Sequence, residues 1–233
     1  MDGLINDQDD LSSGFGRLLD NVCFAPTALE KLPATCNLFY EARFFAQLAA
    51  RVPAVTDQTN AVNWYASACI TAMIAVRDAA KHDFAMLGRE HAFDQSAIAM
   101  EFFLRSDNLD PALRDPLAVN RVFRELRNLR VHYGKPLVLL KTRVLESDIA
   151  RNPSVGSNAG QPRWFLRPLA HTERKLLKKK HLTDEEVDRF NKAVDTRPLA
   201  TVLAQHLYVL SGAVERTGVA LVAQGTGVKG TFD

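Results

Sequence analysis

Apolar residues recur at helical spacing along most of the chain, and one stretch sets the pattern for the rest. Within residues 115–136, DPLAVNRVFRELRNLRVHYGKP, Val119, Val122, Phe123, Leu126 and Leu129 fall three and four positions apart. Tyr133 is expected on the same side. That spacing predicts an amphipathic helix with one core-facing stripe. Pro116 suits the first turn, where its missing N–H removes nothing from the hydrogen-bond ladder. Gly134 suits the left-handed position just past the end, and Pro136 blocks continuation. Opposite the stripe lie Asn128, with Arg127 and His132 to either side of it. Asn128 and His132 stand four apart and are surface neighbours on a helix. Arg130 projects onto the apolar side, where it can snorkel or pair with the last carbonyls of the helix.

The same period predicts further helices. One spans residues 35–52, with Leu38, Phe39, Ala42, Phe45, Ala46 and Ala49 as its stripe and Pro53 as its stop. A second spans 60–84 and is apolar on most sides, through Val62, Trp64, Tyr65, Cys69, Ile70, Met73, Ile74 and Val76. That pattern describes a central, buried helix. Its narrow polar line, Asn60, Asn63, Ser67 and Thr71, reads either as a packing seam or solvated edge, or as a surface facing a site or partner. Short helices are expected over 15–24 and 97–104. Thr183 and Glu186 have capping-box spacing and predict a helix to about Ala193. Pro198 opens the last helix, whose stripe contains Leu199, Val202, Leu203, His206, Leu207, Leu210 and Val214. His206, inside that stripe, reads as a core or interface residue.

The period changes after the first-described helix. PLVLLKTRVLES and RWFLRPLA have strand character, separated by the turn-rich NPSVGSNAGQP, and predict a hairpin over 137–146 and 163–169. Residues 1–14 are acidic and polar, and the tail over 225–233 is glycine-rich; both are expected to be mobile. The fold class expected is mainly α: an up-and-down helical bundle in one domain, with a small β-hairpin inserted after the helix of residues 115–136. Its parts are a helical core over 27–135, hairpin and loop over 137–170, and C-terminal helices over 183–217.

Charge sharpens the reading. Residues 1–120 hold nine Lys and Arg against 16 Asp and Glu, net −7, and residues 121–233 hold 20 against 11, net +9. A basic half fits an anionic partner such as a nucleic acid, and equally fits electrostatic complementarity between the two halves. The run RKLLKKKH over 174–181 reads first as a solvated face. Three cysteines without a C-x-x-C pair argue for a reducing compartment, and Cys69 reads as a small buried hydrophobe. No secretory leader opens the chain, and the longest uncharged stretch, 60–76, carries Asn, Ser and Thr. The expectation is a cytoplasmic protein without membrane contact.

Many chemistries leave signatures that this chain lacks. There is no G-x-S-x-G, no phosphate-loop motif, no H-E-x-x-H and no aromatic RNA-stacking signature. Gly14-Phe15-Gly16 lacks the preceding strand and third glycine of a dinucleotide loop. His82, Asp83, Glu90, His91 and Asp94 have metal-ligand chemistry without the spacing of a closed zinc site, and read as a polar helix end. No metal or cofactor is expected. What remains is Arg127-Asn128-Leu129-Arg130-Val131-His132. Its chemistry suits RNA, whose 2′-OH is an internal nucleophile. A histidine can move a proton near neutral pH, and an arginine can hold a phosphate as charge builds up. One histidine supplies one acid–base group, and a two-fold axis would supply a second.

R-N-x-x-x-H near the end of a helix, in a helical body, resembles the HEPN family. The motif matches at Arg127, Asn128 and His132, and the long helices over 35–52 and 60–84 are similar to the family's antiparallel pair. The likeness in organisation covers roughly residues 35–135; identity covers the motif alone. The hairpin and the acidic leading segment depart from the family pattern. The resemblance implies a homodimer paired through the motif helix and a metal-independent endoribonuclease that leaves a 2′,3′-cyclic phosphate. His132 would be the general acid or base, Arg127 would hold the scissile phosphate, and Asn128 would position it. Arg124 and Arg130 would attract the RNA backbone. Several family members are toxins or phage-defence components, which implies an antitoxin or regulatory protein as a further partner. Other members are not catalytic, so the alternative is a helical protein that uses the same face to bind nucleic acid, a nucleotide or a protein.

Overall fold

Prolines open the first two helices. Pro26 and Pro33 each stand in a first turn, beginning α1 (Pro26–Lys31) and α2 (Pro33–Arg51). A 3₁₀ turn, Thr56–Gln58, leads into α3 (Thr59–Met86), a second one spans Glu90–Gln95, and α4 (Ala97–Glu101) follows. The motif helix is α5 (Pro116–Tyr133). Strands β1 (Val138–Arg143) and β2 (Gln161–Leu166) pair antiparallel, with Val138 opposite Leu166 and Arg143 opposite Gln161. Helices α6 (Asp184–Thr196) and α7 (Leu199–Ala223) complete the fold. This is a computed structural model that describes residues 23–101, 116–143, 161–170, 173 and 184–223. Most of the expected helix over 15–24, the end of the one over 97–104, the loop from 152, the basic run over 174–181 and the tail lie outside these residues. Among the described residues the fold is mainly α, with one two-stranded antiparallel sheet. Among the described residues, no helix is long and apolar enough to cross a membrane.

The long pair α2 and α3 runs antiparallel and forms one side of the core. The other side is α7, which packs on α1, α2 and α4, while α5 lies on α3 and α6 lies on α5. Phe39, Ile70, Met73, Phe93, Phe123, Leu126 and Leu129 are fully enclosed. The predicted stripe of α7 is buried throughout, but burial extends further, to Ala204, Gln205, Ser211, Thr217 and Gly218. Gly218 shows why that helix sits so centrally. A Cβ there would stand 2.8 Å from the Ala28 Cβ, so only glycine permits so close a crossing of α1 and α7.

Several helix ends are capped by side chains from other helices. Glu215 Oε1 accepts the Ala25 N–H at the start of α1 (2.9 Å), and Thr217 Oγ1 accepts the Ile98 N–H at the start of α4 (3.1 Å). Asp83, at the far end of α3, accepts from the Ala34 and Thr35 N–H groups at 3.2 and 2.9 Å and from the Thr35 hydroxyl at 2.7 Å. These bonds satisfy the orphan donors of first turns. They also fix the helices relative to one another, which a cap within its own helix would not do.

The hairpin is anchored rather than appended. Trp164 Nε1 donates to the Val52 and Pro53 carbonyls (3.1 and 3.2 Å), and Lys141 pairs with Asp195 (2.9 Å). The second strand ends at Leu166 instead of 169. Pro168 has no N–H for a ladder, and Leu169 exchanges both backbone bonds with the Asn191 amide, at 2.8 and 2.9 Å.

Candidate functional site

The exposed face of α5 is built from one end. Gly134 takes φ +64 and its N–H returns to the Arg130 carbonyl (3.1 Å), while the Lys135 N–H reaches the Leu129 carbonyl (3.3 Å). This is the left-handed terminator that Gly134 and Pro136 predict. Beyond it, Leu137 and Val138 donate to Asn63 Oδ1 at 2.6 and 3.1 Å, and Asn63 Nδ2 donates to the Thr59 carbonyl at 2.8 Å. Arg167 Nε donates to the Pro136 carbonyl (2.9 Å) and its Nη1 pairs with Glu173 (2.7 Å). Burial works to raise the Glu173 carboxyl, yet hydrogen bonds from Arg167 and Ala170, with the charges of Arg167 and Lys135, hold it below the usual range. The motif helix therefore ends in a clamp on both sides. Asn63 is not part of an exposed polar line, because its buried amide does the clamping.

Phe123, Leu126 and Leu129 carry the predicted stripe into the core, with Phe123 edge-on to Phe190 (5.9 Å) and to His206 (5.3 Å). The side chains of Val119 and Val122 lie outside the described residues. Tyr133 breaks the pattern: it is 48% exposed, at the last position of α5. On the outer side Arg124 and His132 are exposed, and Arg127 and Asn128 are half-buried. Arg127 Nη2 donates to Asn128 Oδ1 at 2.9 Å. That bond leaves the other guanidinium donors available and fixes which face of the amide looks outward. No hydrogen bond among the described residues joins His132 to either residue. Among the described residues its imidazole has no hydrogen-bond partner, and its ring stands edge-on to Tyr133 at 6.5 Å. Val131, 64% exposed, lies among these polar groups.

Arg130 faces a different feature. It is half-buried and lines a groove of about 450 Å³ between α2 and α3, together with Leu38, Glu41, Phe45, Trp64, Ser67 and Thr71. Ser67 and Thr71 of the predicted polar line face this groove. Trp64, expected in the core, is 68% exposed and forms part of the groove wall. Nothing in the periodicity of α3 signals this, because a helix with apolar residues all round gives no direction to any one of them.

Of the other candidate groups, His82, Glu90, His91 and Asp94 are exposed. Asp83 is a cap, and no three His, Cys, Asp or Glu side chains among the described residues could share a metal ion. Cys69 and Cys36 are buried; burial, followed by the charges of Asp83 and Glu215, pushes the Cys36 thiol up to about 12, and burial also raises Cys69. α6 begins at Asp184, and Thr183 and the side chain of Glu186, the expected capping pair, lie outside the described residues.

His206 is buried against Phe123, its Nε2 without a hydrogen-bond partner among the described residues, and burial lowers its pKa from 6.5 to about 4. A histidine held neutral in the fold stabilises nothing as acid; the unfolded chain takes up its proton first. Stability should therefore be fully present above about pH 6.5 and fall as pH drops toward 4, by on the order of 3 kcal/mol from this residue. His206→Leu should flatten that loss, as urea melts at about pH 7 and about pH 4.5 will show. An equal acid loss in the variant would refute the assignment.

No protein-family model matches the chain, and no curated protein or solved structure matches it either.

Proposed function

We propose that this protein is a metal-independent endoribonuclease of HEPN type, with its reactive surface on the outer arc of α5. The observation that supports the reading most directly is the gathering of Arg127, Asn128 and His132 on one solvent-facing side of a helix whose end is clamped. A rigid support is what positions groups for chemistry. The RNA 2′-oxygen attacks the adjacent phosphorus, and the bond from phosphorus to the 5′-oxygen breaks. A base removes the 2′ proton, and an acid returns one to the leaving 5′-oxygen. His132 performs one of these transfers, and His132 of a second copy performs the other across a two-fold axis through α5. Arg127 holds the phosphate, and Asn128 fixes Arg127 in place. Arg124 adds backbone attraction from the exposed side. A toxin or phage-defence role, held in check by an antitoxin or regulatory protein, is the biological setting that goes with this reading.

The test is RNA cleavage by the full chain in EDTA, with the ends identified by mass spectrometry. Products should carry 2′,3′-cyclic phosphate, and 2′-O-methyl RNA should be inert. A protein inactive on RNAs of diverse sequence overturns the proposal. A second reading, a non-catalytic HEPN-like protein that binds nucleic acid, a nucleotide or a protein through the same face, draws on the exposure of Val131 and Tyr133 beside His132. Binding without cleavage would decide for it.

A further inference from the structure

The groove between α2 and α3 combines features that a solvated helix seam does not need. Its wall is an indole left 68% exposed. Its lining is small and mainly apolar along α3, with Ser67, Ala68, Thr71, Ala72 and Ala75, and Leu38 and Phe45 come from α2. Arg130 closes one side, half-buried and without an ion pair among the described residues, although Glu41 lines the same groove. A cation and a carboxylate that share a groove without pairing leave separate places for an anion and for a hydrogen-bond donor.

Arg130 also links the groove to the outer arc of α5. It stands three residues from Arg127, so the two guanidinium stems are neighbours on the helix surface, with roughly 5–6 Å between Cβ atoms. The order round the helix runs from the groove through Arg130 and Arg127 to Asn128 and His132.

We infer that this groove is a single-stranded RNA subsite, in which one nucleobase stacks on Trp64 and the neighbouring phosphate is held by Arg130. Arg130, Arg127 and Arg124 carry the same positive charge along one side of α5, which is complementary to a polyanion, and the exposed indole commits that polyanion to one with flat aromatic groups. Stacking on an aromatic side chain tolerates any base, because every base has a π face. Glu41, which offers only acceptors, faces the donor-bearing edge of the base and not its phosphate. The volume, about 450 Å³, suits one nucleotide-sized group. The inference rests on RNA being the ligand of the α5 face, as proposed above, but not on catalysis there.

The experiment is tryptophan fluorescence of the full chain titrated with short 2′-O-methyl oligoribonucleotides, which cannot be cleaved. The chain has two tryptophans, and Trp164 is buried, so quenching of the exposed indole reports the groove. Affinity is measured in parallel by anisotropy of a labelled oligonucleotide. Trp64→Ala should weaken binding by about tenfold or more, Trp64→Phe should stay within about threefold of wild type, and Arg130→Gln should lower the slope of log affinity against log salt by about one. Circular dichroism checks that each variant folds; both side chains sit at the surface of the groove. Unchanged affinity in Trp64→Ala overturns the subsite. So does an indole already shielded from acrylamide in the free protein, or loss of self-association in Trp64→Ala, which would make the groove a contact between copies. If cleavage in EDTA fails while these titrations hold, the nuclease reading falls and the subsite stands; the reverse result separates them the other way.

Discussion

His132→Ala should slow RNA cleavage by about 10²- to 10⁴-fold, the range for losing a positioned acid–base group. The same substitution should leave the melting temperature and oligomeric state where they were. The imidazole is exposed and makes no hydrogen bond among the described residues, so the fold does not depend on it. That combination distinguishes a reactive residue from a structural one. Cleavage is measured in EDTA under single-turnover conditions, alongside thermal melts and sedimentation. A rate within about threefold of wild type would remove His132 from the chemistry and with it the two-histidine mechanism. Arg127→Lys provides a graded comparison. Lysine keeps the charge but cannot both bond Asn128 and present a flat pair of donors to a phosphate, so part of the rate should be lost. An effect of His132→Ala without one of Arg127→Lys would mean that the phosphate is held elsewhere.

The motif helix was the most legible element because its signals are local. Pro116, Gly134 and Pro136 act through their own backbone geometry, and the helix runs from Pro116 to Tyr133. The stripe through Phe123, Leu126 and Leu129 followed from period alone. Tyr133 did not, because periodicity predicts the side of a helix and not how deeply a residue at its last position is covered. The hairpin was visible as a change of period, but the end of β2 depended on the Asn191 amide 22 positions away. The same limit applied to Asn63, whose partners lie 74 and 75 positions along the chain. In sequence it was one polar residue in a narrow line; in the fold it holds the exit of the motif helix. Charge was less informative than its asymmetry suggested. Asp83 and Glu215, carboxylates from the acidic and basic halves, both serve to cap helices. The groove at Trp64 required two helices and Arg130 of a third, and no single stretch encodes that arrangement.

Asp83→Ala should cost about 2–5 kcal/mol of stability, the range for removing one partner from a buried, charge-assisted network. The reason lies at the other end of the pair. α2 begins at Pro33 after Leu32, a residue without a capping side chain, and its first-turn donors at Ala34 and Thr35 turn to Asp83. Thr35 is fully buried and Asp83 is 3% exposed, so water cannot replace the lost oxygens. The buried Thr35 N–H and hydroxyl would be stranded together, and the half-buried Ala34 N–H would lose its cap. Asp83→Asn retains one acceptor oxygen and should fall between wild type and alanine. Thr35→Val removes only the hydroxyl and should cost about 1 kcal/mol, and its effect should largely vanish when Asp83 is already alanine. Urea unfolding of the four proteins completes the cycle. Additive losses would mean that the carboxylate acts without the hydroxyl, and an alanine variant within about 0.5 kcal/mol of wild type would mean that the cap is dispensable. The outcome bears on the candidate site. α2 carries Leu38, Glu41 and Phe45 into the groove, whereas His132 is supported by α5, held at its end by Asn63 from the opposite end of α3. At temperatures where the variant remains folded, a loosened α2 should therefore weaken RNA binding in the groove before it affects the rate of the cleavage step.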